Sequence, residues 1–123
     1  MALSTAEEQL MHYLWNQKEA SLNELLEAYP EPKPAPTTVA TLLKRMQDKN
    51  FVGFEKEGRS RIYFPKVKKT DYFSKQVNNL VKDFFNDSAA QFASFFTKES
   101  DLSETELKEL RAIIDQQIKK KKS

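Results

Sequence analysis

The sequence predicts a mainly α-helical chain with one small β-hairpin, and three observations carry that prediction. Three N-terminal segments place apolar residues at helical spacing. One stretch, residues 51–65, is aromatic and β-branched at both ends around a charged middle, and it contains both glycines of the chain, Gly53 and Gly58. Beyond residue 70 the helical spacing returns, with no second hairpin signal. A length of 123 residues suits one compact domain, or a domain of about 70 residues with an appended oligomerisation arm.

Ser4 and Glu7 form a capping-box pattern ahead of Ala6, Leu10, Met11, Leu14 and Trp15, which predicts a first helix ending near Asn16. Tyr13 and Trp15 read as core. Ser21 and Glu24 repeat the device for a second helix, in which Ala20 and Leu25 stand as a hydrophobic staple and Pro30 is the stop. Residues 30–36 hold four of the five prolines and read as an extended connector. From Thr37 a third helix sets Val39, Leu42, Leu43 and Met46 on one face and ends near Lys49 and Asn50. The hairpin follows, with its turn near Glu57 and Gly58. Helix, helix, helix, hairpin is the order of a winged helix-turn-helix.

Residues 71–123 then read as three helices. Phe73, Val77, Leu80, Val81, Phe84 and Phe85 mark the fourth. Ser88 with Gln91 caps a fifth that carries Phe92, Phe95 and Phe96. Ser103 with Glu106 caps a sixth with Leu107, Leu110, Ile114 and Ile118. Six of the nine phenylalanines lie in this tail. That is more apolar surface than three helices hide alone, so these residues are the candidates for dimerisation, and residues 1–70 for an N-terminal head. The Lys119 to Lys122 run complements the negative end of the last helix and reads as a solvated, frayed terminus.

Composition narrows the function. Without cysteine, and with His12 as the lone histidine, no metal site or cofactor is expected. There is no glycine-rich phosphate loop, nucleophile elbow or histidine–carboxylate constellation, so the chain does not read as an enzyme. No apolar run approaches the roughly 18 residues that cross a bilayer, and the N-terminus lacks a targeting pattern; the expected place is the cytoplasm, without membrane insertion.

The net charge of +2 hides a strong asymmetry. Residues 1–32 carry one basic residue against six acidic, a net of −5, whereas residues 33–69 carry ten against three, a net of +7. On the third helix Thr37, Thr38, Thr41, Lys44 and Arg45 oppose the apolar face, and Lys56, Arg59 and Arg61 surround the hairpin tip. Short hydroxyls let a helix approach base edges, while Arg and Lys reach guanines and phosphates. These eight residues are the candidate contacts to double-stranded DNA. The alternative is a winged-helix module that binds protein, which would show an exposed apolar patch instead.

The stretch from Leu3 to Trp15, the run Thr37-Thr38-Val39-Ala40-Thr41-Leu42-Leu43-Lys44-Arg45-Met46, and Gly58-Arg59-Ser60-Arg61-Ile62-Tyr63-Phe64-Pro65 together make the chain resemble the penicillinase-repressor family, which includes methicillin-resistance and copper-transport repressors. The copper-responsive branch carries a cysteine-rich motif that this chain lacks. The resemblance implies a homodimer on an inverted-repeat operator, with the third helix in the major groove and the wing on the backbone. It also implies release by a membrane sensor metallopeptidase in response to an antibiotic signal, through cleavage at an Asn-Phe bond inside the dimerisation segment. By position that bond falls at Phe95–Phe96 here, where the Asn is replaced. Interface core is the other reading of these two residues.

Overall fold

The structure is a computed structural model describing residues 2–122. It comprises α1 (Thr5–Gln17), α2 (Leu22–Ala28), α3 (Pro36–Asp48), β1 (Val52–Glu57), β2 (Ser60–Pro65), α4 (Lys69–Phe84), α5 (Ala89–Glu99) and α6 (Glu104–Lys122). These elements divide into two compact units, the first closing at Ser74 and the second opening at Lys75.

In the first unit, α1 starts where the capping box predicts. The Ser4 hydroxyl accepts from the Glu7 amide at 3.2 Å, and the Ser4 amide donates to the Glu7 carboxylate at 2.8 Å. Leu10, Met11 and Leu14 are fully buried. Ala6, expected on that inner face, is exposed, and Glu7 occupies the buried position instead. Trp15 is half-buried and donates its indole N–H to the Val67 carbonyl at 2.8 Å. Tyr13 packs edge-on against Tyr29.

The helix α2 is opened by the Ser21–Glu24 box and ends at its C-cap Tyr29, whose extended backbone (φ −74°, ψ 145°) is what a following proline imposes. The connector to α3 is tied down by Lys33, whose ammonium donates to the carbonyls of Leu26, Glu27 and Tyr29 at 3.3, 3.1 and 2.8 Å. The Leu26 carbonyl also accepts from the Tyr29 amide at 3.2 Å, so the Lys33 ammonium adds to that bond and supplies a donor at a helix end short of intrahelical partners. Pro36 opens α3 at a position where its missing N–H costs nothing. A Schellman motif closes α3: Asn50 takes φ 65°, the Phe51 amide donates to Met46 and the Asn50 amide to Gln47, and Phe51 and Met46 are both buried.

The strands β1 and β2 pair antiparallel in the register Val52↔Pro65 through Glu57↔Ser60, joined by Gly58 and Arg59. Gly58 has φ 63°, which the first central position of such a two-residue turn demands. The turn lies one residue later than the sequence suggests. A contact that sequence reading missed extends the hairpin. Ala20, read as a staple partner, exchanges two backbone hydrogen bonds with Tyr63, at 2.9 and 2.8 Å.

The first turn of α4 belongs to this unit. Tyr72 is buried beside Phe51 and Trp15, and its hydroxyl donates to the Glu8 carboxylate at 2.6 Å. Phe73, assigned from sequence to the dimerisation segment, packs here against Trp15 and Tyr72, with ring centroids 5.8 and 5.2 Å away.

In the second unit, Ser88 caps α5, and Ser103 caps α6 in reciprocal bonds with Glu106. Two consecutive left-handed residues, Asn86 (φ 55°) and Asp87 (φ 57°), turn the chain between α4 and α5. Phe85 meets Phe92 and Phe95, and Phe92 stacks on Phe96. Even so, none of residues 75–122 is fully buried. The helix α6 runs through Lys122, so the Lys119 to Lys122 run is helical where fraying was expected. Among the described residues, no helix is long and apolar enough to cross a membrane.

Candidate nucleic-acid interface

The helix α3 has two sides because successive residues turn by about 100°. Val39, Leu43 and Met46 are buried against the head, which leaves Thr37, Thr38, Thr41, Lys44 and Arg45 all exposed on the other side. The Thr41 hydroxyl donates to the Thr37 carbonyl at 2.9 Å. Its hydrogen is therefore already used, which leaves the hydroxyl oxygen as an acceptor and the methyl group as an apolar contact on the exposed side. Lys44 pairs with Asp48 at 3.2 Å across an exposed i,i+4 spacing, a contact worth a few tenths of a kcal/mol. Among the described residues Arg45 makes no side-chain hydrogen bond or ion pair, so its guanidinium is available to a groove.

What seats α3 lies at its other end. Lys49, the C-cap, reaches back to Glu7 with a 2.7 Å ion pair. Burial pushes the Glu7 carboxyl up. The Lys49 hydrogen bond, the Ser4 amide and hydroxyl, and the ammonium charge together outweigh this and hold it below the usual carboxylate range. Sequence reading missed this pair. A signal was present: Glu7, Leu10 and Leu14 share helical spacing, which puts the carboxylate on the core face.

The wing carries the second group of candidates, and Lys56, Arg59 and Arg61 are exposed. Lys56 and Arg61 stand directly opposite each other across the ladder, and Arg59 lies in the turn. The Arg61 guanidinium sits 4.3 Å over the Phe54 ring. Phe54, which sequence reading did not single out, is held in turn by Tyr63, 5.8 Å away. The eight candidate residues thus belong to one unit, five on α3 and three on the hairpin that follows it.

The candidate dimerisation residues of the second unit are unevenly covered. Val81, Phe85, Phe92 and Leu110 are half-buried within the unit. Val77, Leu80, Phe84, Phe95, Phe96, Leu107 and Ile114 are exposed, Phe84 the most at 77%. Ile113, not among the sequence candidates, joins them at 58%. The Phe95–Phe96 bond lies inside α5, and the Phe96 carbonyl accepts from the Ser100 amide.

Comparison with known proteins adds a second line. The family model described as penicillinase repressor matches residues 3–116. The methicillin resistance regulatory protein MecI of Staphylococcus aureus (strain N315) is 29% identical over 114 residues, covering 92% of this chain and 93% of its own. The penicillinase repressor of Bacillus licheniformis is 26% identical over 121 residues, covering 98% and 94%. Among solved structures, the monomeric form of Bacillus licheniformis BlaI in complex with the blaP half-operator matches with a TM-score of 0.50 and 29% identity. That match covers 58% of this chain and 89% of that one.

Proposed function

The chain belongs to the penicillinase repressor family, and from that premise we propose that it acts as a homodimer on an inverted-repeat operator, with α3 in the major groove and the β1–β2 wing on the phosphate backbone. It is a DNA-binding transcriptional repressor; its family consists of repressors, not enzymes. The observation that carries the reading is the α3 face. Thr37, Thr38, Thr41, Lys44 and Arg45 stand exposed opposite a buried Val39, Leu43 and Met46, on a head whose relative has been solved on a half-operator.

Dimerisation is assigned to the second unit. Support comes from its exposed Val77, Leu80, Phe84, Leu107, Ile113 and Ile114 and from the absence of any fully buried residue between 75 and 122. A two-fold interface would cover such faces, and two heads match a two-fold operator. The protein works in the cytoplasm, where that operator is. Release follows a cut at the Phe95–Phe96 bond by a membrane sensor metallopeptidase. Support for this is the exposure of both residues; since the bond is helical, α5 must open locally before a protease can take it.

The test is a gel-shift titration on the region upstream of the protein's own gene, over a salt series. Binding that favours one site over random duplex and weakens steeply with salt is the expected result. No binding at low salt, or equal binding to random duplex, would overturn it and leave the protein-binding winged helix.

A further inference from the structure

We propose that Phe54 is a positioning residue for DNA binding, holding the Arg61 guanidinium on the one face of the wing that meets the phosphate backbone. The inference rests on the reading of the wing as a DNA contact, and adds which side of the wing is used and what prepares it.

Strand alternation divides the hairpin into two faces. With the register Val52↔Pro65, Phe54↔Tyr63 and Lys56↔Arg61, these six residues share one face. Glu55 and Glu57 share the other, opposite Ile62 and Ser60. The wing is thus sorted by charge, basic on one side and acidic on its back. The basic side continues the face that is buried at its root, where Val52 and Tyr63 enter the core of the head that carries α3.

Within that basic side the arrangement works against the hairpin. Lys56 and Arg61 are like charges placed directly across a ladder, a destabilising pairing, and neither makes an ion pair among the described residues. Hairpin stability alone favours a carboxylate at one of the two positions. A polyanion lying along this face neutralises both charges at once.

Phe54 sits diagonally from Arg61 and takes its guanidinium at 4.3 Å. The planar, weakly hydrated guanidinium stacks well on a ring, and the contact removes rotamers that Arg61 would otherwise lose on meeting DNA. A fixed cation over an anchored ring is a prepared phosphate contact; Arg59, in the turn, has no such support.

The test uses the full chain and a duplex selected from a random pool by the unmodified protein, with random duplex as control. Affinity and its salt dependence are measured for Phe54→Leu, Phe54→Tyr, Arg61→Ala and the Phe54→Leu/Arg61→Ala pair. Phe54→Leu should weaken binding about two- to five-fold, and Phe54→Tyr, which keeps the ring face, should restore it. Arg61→Ala should lower the salt slope by about 0.9 for each protomer bound, about 1.8 for a dimer on two half-sites. In the Arg61→Ala background the Phe54→Leu change should cost nothing more. An equal loss in both backgrounds, or a lower melting temperature with binding intact, would show that Phe54 only supports the fold and would overturn the proposal. So would an Arg61→Ala variant that binds as the unmodified protein does. Failure of the unmodified protein to select or bind any duplex would instead overturn the DNA reading itself.

Discussion

Glu7 and Lys49 form a 2.7 Å ion pair that joins the first turn of α1 to the C-cap of α3, with the carboxylate 1% exposed and the ammonium side chain 24% exposed. The strength of such a pair lies in what happens when half of it is lost. Lys49→Ala leaves a buried carboxylate that keeps the Ser4 amide but has no counter-charge, and should destabilise the head by about 3 kcal/mol. Thermal or urea unfolding measures this, and a loss under about 0.5 kcal/mol would be that of an ordinary surface pair.

The same pair gives a pH dependence with a definite sign. The Glu7 carboxyl lies lower in the folded protein than in the unfolded chain. Its contribution is therefore complete above the unfolded value, about 4.3, and is lost as pH falls through the folded value. The unmodified protein should lose stability on acidification more steeply than Glu7→Gln. Parallel melting curves for the two between pH 6 and pH 3 would refute this.

Arg45, exposed on α3 and without a partner among the described residues, should read a base. Arg45→Ala should cost about 1 to 3 kcal/mol on the preferred duplex and relax preference at one position. Asp48→Asn should act in the opposite direction. By freeing Lys44 from its 3.2 Å pairing it should tighten binding to every duplex and steepen the salt dependence. Titrations of both variants against preferred and random duplexes distinguish the two effects.

A fragment ending at Ser74 should fold and be monomeric, and should bind DNA far more weakly than the full chain because two linked half-sites gain effective concentration. Cutting at Thr70 instead removes Tyr72, with its Glu8 hydrogen bond and its packing on Phe51, so that shorter head should melt lower. Sedimentation settles the oligomeric state, and a dimeric head would move the interface off the second unit.

Asn86 and Asp87 both hold positive φ between α4 and α5, a conformation costing a non-glycine residue about 1 kcal/mol. Asp87→Gly should be neutral or stabilising and Asp87→Val destabilising by about 1 to 2 kcal/mol, read from thermal melts.

The sequence alone determined whatever depends on local chemistry. Ser4, Ser21, Ser88 and Ser103 announced four helix starts because a capping hydroxyl acts within three residues of itself. Pro30 announced the end of α2, Gly58 the turn of the hairpin, and the spacing of Val39, Leu43 and Met46 which side of α3 faces outward. Only the tertiary structure decided the relations between elements distant in sequence. That Glu7 is buried on Lys49, that Ala20 pairs with Tyr63, that Tyr72 and Phe73 join the head, and that Arg61 rests on Phe54 all depend on how elements are brought together in space. Propensity and periodicity act over a turn or a strand. A partner 42 or 64 residues away is chosen by packing, by the cost of leaving a buried charge or hydroxyl unpaired, and by strand register, none of which is written in the residues nearby.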